Sequence, residues 1–136
     1  MPLSLEDRCN AIEECYEFML AYAAQGLPGD AGTQSGSQLR DFLRRAIEAL
    51  TGLAAAYQEA VAEKMLEPAD RYRAFLAVLN RDASDSLAAL QLVEAQPALS
   101  SQLIDNLNAS IHLRALLTDL FLIDEILKPA ASKISV

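Results

Sequence analysis

Apolar residues nearly encircle a helix in only one stretch of the chain, Ile111 to Leu127. At about 100° per residue, Leu113, Leu116, Leu117, Leu120, Phe121, Ile123 and Leu127 share one broad arc. Ala115, Leu122 and Ile126 fall on the opposite side. A helix apolar on two faces wants two neighbours, so this stretch reads as a core helix, an oligomer interface, or both. The rest of the chain reads as amphipathic helices that cover it.

Three further helices follow from the same periodicity. Ser4 with Asp7 is a capping signal, after which Leu5, Cys9, Ile12, Tyr16, Met19 and Ala23 recur at helical spacing. They predict a helix over 4–25, closed by Gly26. Residues 27–37 are rich in Gly, Ser and Asp and predict a flexible loop. A second helix is predicted over 38–67, with Leu39, Leu43, Ala46, Leu50, Leu53, Tyr57 and Ala60 on its seam. Phe42, Ile47, Val61 and Met65 widen that stripe, and Gly52 marks a close crossing or a mild kink. Pro68 ends this helix and opens a third over 69–95, so the two are antiparallel neighbours. The polar patch at 80–86 leaves the apolar period intact through Ala83, which favours one continuous helix over a break with Ser84 capping a fresh one. Pro97 separates a fourth helix over 98–127, capped by Ser100 or Ser101, whose main stripe shifts around the axis from Leu113 onward. That helix therefore bends, or its halves face different neighbours. Pro129 ends it, and 129–136 reads as a short mobile tail. The predicted fold is all-α, an up-down-up-down antiparallel four-helix bundle in one domain over 1–128.

Composition agrees with helix over sheet: 52% of residues are hydrophobic, with only five glycines and five prolines. A net charge of −8, from eleven Lys+Arg against nineteen Asp+Glu, argues against gripping phosphate backbones or anionic lipid. No nucleic acid and no membrane are expected as partners, whereas a basic protein segment would be attracted. No uncharged apolar run reaches the ~18 residues of a membrane span. MPLSLEDRCN lacks the features of a secretory signal, and Cys9 and Cys15 sit about 9 Å apart along one helix, too far to bridge. A reduced, cytoplasmic protein is expected.

His112 is the one histidine. That scarcity excludes haemerythrin-like and di-iron sites, which need several histidines. A zinc site from Cys9, Cys15 and His112 would need two helices to converge on cysteines that face different ways. No metal, cofactor or catalytic residue is therefore expected. Cys9 reads as a small core hydrophobe and Cys15, beside the seam, as the more reachable thiol. No lysine follows the glycines of residues 27–37 and no strand precedes them, so no phosphate cradle is indicated. Arg40, Arg44 and Arg45 read as a solvated face paired with Asp41 and Glu48. Asp124 falls on the apolar arc and is a buried polar candidate, requiring a partner such as Arg114, Arg71, Arg73 or a tyrosine hydroxyl unless it lies where the bundle opens. His112 resembles the phosphoacceptor of histidine phosphotransfer domains, which are four-helix bundles with an exposed histidine. HLRALL departs from their pattern, offering Arg114 but no glycine.

These residues predict a non-enzymatic protein–protein interaction module, an adaptor, regulator or chaperone-like bundle acting through an apolar face of the last helix. Ile104, Ile111, Ala115, Leu122 and Ile126 form a second seam there, at spacings of seven, four, seven and four. An apolar strip of this kind marks a contact, and a two-fold homodimer covers it most simply; a different protein is the other candidate. Asn108 interrupts the seam as register-fixing polar residues do. In size and acidity the chain is similar to small bacterial export chaperones of the flagellar or secretion type. A second reading is a small-molecule or cofactor binder with Tyr16, Tyr57, Tyr72 and Asp124 as polar fittings of an aliphatic pocket. A third is phosphotransfer through His112.

Overall fold

The computed structural model describes residues 3–128, and the tail expected over 129–136 lies outside them. The described residues form six helices and no strand: α1 (Leu5–Ala23), α2 (Gln34–Leu50), α3 (Leu53–Lys64), α4 (Ala69–Glu94), α5 (Ser101–Ala109) and α6 (Ile111–Leu127). The all-α class stands, but six helices replace the four predicted, because both long predicted helices are broken.

The first break has a backbone cause and a side-chain cap. Gly52 adopts φ +86, a left-handed conformation that residues with a Cβ avoid, and the chain leaves α2 there and restarts as α3. Arg8 on α1 reaches across to this break and donates through one guanidinium nitrogen to the Ala49 and Thr51 carbonyls, at 2.8 and 2.7 Å. Those carbonyls are orphaned by the helix end, and the cation also suits the negative end of the helix dipole. At the second break Ser110 takes an extended conformation and its hydroxyl donates to the Leu107 carbonyl at 2.6 Å, drawing a carbonyl out of the helical ladder. The bend expected in the last helix thus falls on Ser110. By contrast α4 runs unbroken through 80–86, with Ala83 and Ser86 buried.

Other boundaries move for local reasons. The Asp7 amide donates to Ser4, the cap expected for α1. The second helix starts at Gln34 rather than 38, since Thr33 accepts from the Gly36 amide at 2.9 Å. Gly36 is required there, because a Cβ would overlap the Asp30 carbonyl. The Ser100 hydroxyl accepts from the Leu103 amide, so α5 begins at Ser101 and not at 98. Met65 takes a left-handed φ of +51 and ends α3 before Pro68 is reached.

Helix α1 packs mainly on α2 and α5, and α4 mainly on α6, α2 and α3. The continuous core runs through Ile12, Met19, Leu43, Leu53, Leu79, Leu90, Leu99 and Leu116. Of the arc expected to bury on α6, Leu113, Leu116, Leu117, Leu120 and Ile123 do so; Phe121 is exposed and Leu127 is half-buried. Phe121 lies at the edge of the arc, and the core fills before reaching it.

Candidate functional site

Two levels of the molecule differ in how they are held. At one, the loop between α1 and α2 is pinned to the turn between α4 and α5. Asp30 accepts from the Leu99 amide at 2.8 Å and pairs with Arg40 at 2.8 Å, while Arg40 also donates to the Glu94 and Gln96 carbonyls at 2.6 and 2.8 Å. The Arg40 guanidinium holds the Asp30 carboxyl below its usual range, and the Leu99 amide adds to this. The fully buried Tyr22 donates to the Leu99 carbonyl at 2.6 Å, and Ser101 bridges the Tyr22 carbonyl and the Leu27 amide. The loop is therefore bonded in place rather than flexible, and Arg40 is a structural clamp rather than part of a solvated face. Arg44 and Arg45 do stay outside, one beside Asp41 at 3.6 Å and the other over the Phe42 ring at 4.5 Å.

At the opposite level, where α3 ends and α4 begins, large apolar side chains meet solvent. Between α3 and α4 lies a groove of about 740 Å³, lined by Val61, Leu66 and Leu76 together with Met65, which is 82% exposed. On the other flank of α4 a shallower groove lies against α6, lined by Tyr72, Phe75, Leu122 and Ile126. Leu122 is 51% and Ile126 42% exposed.

The five residues expected to form a partner-binding seam are thus divided. Ile111, Leu122 and Ile126 are exposed, Ala115 is half-buried, and Ile104 is entirely buried. The bend at Ser110 breaks the seam and turns Ile104 into the core. Asn108 does not face outward to fix a register either: its amide donates to the Met19 carbonyl on α1 at 3.1 Å.

Asp124 is exposed, not buried, although it does find a tyrosine partner: Tyr57, fully buried, donates to it at 2.6 Å. Cys9 completes the cluster, its sulfur 3.2 Å from the Tyr57 oxygen and 3.8 Å from Asp124. Burial pushes the Cys9 thiol up to about 11 and raises Tyr57 as well, Asp124 adding to both. Such a thiol stays protonated near neutrality and is a poor nucleophile. Cys15, expected to be the reachable thiol, is fully buried, which lifts it to about 12. The Cys9 cluster borders a cavity of about 730 Å³ with Glu13, Lys64 and Asp124 at its sides. Burial raises Glu13, helped by Asp124. Of the four residues proposed as fittings of a ligand pocket, only Tyr57 and Asp124 come together; Tyr72 belongs to the α4–α6 groove.

His112 is exposed in the first turn of α6. Among the described residues no three His, Cys, Asp or Glu side chains gather into a metal-holding group, so Cys9, Cys15 and His112 do not converge. No described helix is long and apolar enough to cross a membrane. Asp119 on α6 sits against Asp82 on α4 with one carboxyl oxygen buried and without a donor. Burial first, and Asp82 second, push Asp119 up to about 7.

Periodicity missed the α3–α4 groove and the Asp30 clamp. The signal for the groove was present in the widened stripe at Val61 and Met65, on a helix with too few neighbours to cover it. The clamp carried no periodic signal, because its partners are far apart in sequence. The sequence matches no protein-family model, and no match is found among curated proteins or solved structures.

Proposed function

We propose that the protein is a non-enzymatic interaction module that docks polypeptide on the apolar surface around the first half of α4. In this reading the six helices act as four stacks of an up-down-up-down bundle, α2 continuing into α3 and α5 into α6. The observation that carries it is the exposure of Met65 beside one apolar groove along α4 and of Leu122 and Ile126 in another. Scattered exposed leucines need no explanation, but large exposed apolar side chains bordering apolar grooves do. Self-association uses the α6 part of this surface, through Leu122 and Ile126, and the α3–α4 groove is left for another protein. Light scattering at tens of micromolar is expected to report a dimer that Leu122→Glu with Ile126→Lys converts to monomer. A wild type that is monomeric and captures no polypeptide would remove the reading.

The Cys9 cavity favours a second reading, a small-molecule binder with Asp124, held from behind by the buried Tyr57, as its polar end. Native mass spectrometry of freshly purified protein tests it; a mass shift lost in Asp124→Asn supports a bound ligand, and an unshifted mass counts against one.

A further inference from the structure

We infer that the face formed by α4 and α6 side by side pairs antiparallel with the same face of a second copy, Arg71 of each copy meeting Asp82 and Asp119 of the other. The inference rests on the self-association within the docking reading above and supplies its geometry and charged contacts. On α4, Arg71, Phe75, Val78 and Asp82 follow spacings of four, three and four, which keeps them on one stripe. On α6, Ala115, Asp119, Leu122 and Ile126 repeat those spacings. The two stripes flank one seam, because Arg71 and Phe75 share a groove with Leu122 and Ile126, and Asp82 sits against Asp119. Every residue of both stripes is exposed or half-buried, so the seam is open to a partner.

Charge along the seam runs in one direction. Arg71 stands at the Ile126 end, and Asp82 and Asp119 stand about 16 Å away at the helical rise, with apolar side chains between. Asp85, exposed and one turn beyond Asp82, extends the acidic end. Asp70, Arg81, Arg114 and Glu125 each lie one residue off a stripe, and so point about 100° away from it. Among the described residues Arg71 has no ion pair, and neither do Asp82 and Asp119. A two-fold axis crossing the seam midway, beside Leu122, lays the acidic end of one copy over Arg71 of the other. The same operation repeats that contact at the opposite end, so the surface is its own complement. Laid parallel instead, the two faces would bring their carboxyl groups together and repel. A different protein would have to carry this pattern in reverse, whereas a second copy carries it already. The net charge of −8 on each copy opposes approach at long range, where salt screens it, and the contacts at the two ends are close enough to escape most of that screening.

The test exchanges the charges at the two ends, at pH 8 so that Asp119, pushed up to about 7, is ionised. Sedimentation equilibrium is expected to show a wild-type dimer that Arg71→Glu alone weakens about tenfold or more, and Asp82→Arg alone likewise, since each sets like charges against each other. An equimolar mixture of the two variants restores both contacts in a heterodimer. Native mass spectrometry should find that heterodimer in excess of either homodimer. Amide chemical shifts of the wild-type chain, which need no variant to fold, should change on dilution within residues 71–82 and 115–126. Single variants that dimerise as tightly as the wild type, or a mixture that forms no heterodimer, overturn the inference and leave a dimer held by Leu122 and Ile126 alone. Dilution shifts confined to α3 or to α6 overturn it as well. A wild type that is monomeric but captures another polypeptide overturns the inference and spares the docking reading, while one that is monomeric and captures none removes both.

Discussion

The Asp30 end and the Met65 end of the molecule are built from opposite materials. At the Asp30 end a carboxylate, a guanidinium, a phenol and a serine hydroxyl tie a ten-residue connection, 24–33, to the α4–α5 turn. At the Met65 end apolar side chains line a groove between α3 and α4, and Lys64 reaches the Leu127 carbonyl at a long 3.4 Å, the short bond from α3 to α6, Tyr57 to Asp124 at 2.6 Å, lying two turns further back along α3. Buried polar groups demand partners in defined geometry and so fix one arrangement, whereas exposed apolar groups accept any surface that excludes water. The first end is committed to its own chain. The second has surface left over for another.

The largest expected effect lies at the committed end. Arg40→Ala removes the ion pair with Asp30 and two bonds to carbonyls, and both side chains are mostly buried, 18% and 13% exposed. Leaving the Asp30 carboxylate without its cation should cost about 3 kcal/mol, read as a fall in the urea midpoint. Asp30 is held below its usual range, so the clamp contributes fully above the unfolded carboxyl value near 3.8 and is lost as the pH falls through the lower folded value. The wild-type and Arg40→Ala stabilities should therefore converge in acid. An equal gap at all pH values would mean that Arg40 acts through its carbonyl bonds alone.

Tyr57→Phe comes next. It removes the 2.6 Å bond to Asp124 from a fully buried ring, but the Asp124 carboxylate is exposed and water can replace the phenol. A loss of about 1.5 kcal/mol is expected by thermal unfolding. A loss above about 3 kcal/mol would imply that the cluster is sealed from solvent.

What was legible in the sequence follows the same division. Apolar periodicity reports which side of a helix is wet or dry, so α1, the unbroken α4 and most of the buried arc of α6 could be read directly. It also reported Leu122 and Ile126 correctly as apolar residues beyond the needs of the core. It could not place Ile104, since the bend at Ser110 turns α5 relative to α6 and a seam counted through the bend mixes two faces. Gly52 was visible as a weak point; its conversion into a full break depends on Arg8, 44 positions earlier in the numbering, capping the exposed carbonyls. Arg40 and Tyr22 were opaque for the same reason. Their roles are set by partners that only the folded chain brings near.

Between the two ends, Asp119 of α6 sits against Asp82 of α4. Asp119 is pushed up to about 7, above its unfolded value of 3.8, so its protonated carboxyl contributes fully below about pH 4 and that contribution is lost as the pH rises to 7. Asp119 is partly exposed, and solvent screening reduces the effect to on the order of 1 kcal/mol. Asp119→Asn should abolish that part of the pH dependence and stabilise the protein at pH 8 relative to wild type. Denaturant titrations at pH 5 and pH 8 measure both. A wild type equally stable at both values would show that Asp119 is not held protonated at pH 5.

The smallest effect on stability, and the one most informative about the uncommitted end, is expected from Met65→Gly. Met65 holds φ +51, a conformation that costs a side chain with a Cβ but not glycine. Its side chain is 82% exposed, so little packing is lost when it is removed. Relief of the backbone and loss of the side chain should together leave the protein as stable or up to about 1 kcal/mol more stable. The same substitution deletes the wall of the α3–α4 groove, so binding of another polypeptide there should weaken. Stability and binding would then move in opposite directions at one residue, as expected where a strained residue serves a surface rather than the core. If Met65→Gly destabilised the fold by more than about 1 kcal/mol, Met65 would be packing against its own chain, and the contrast between the two ends would fail.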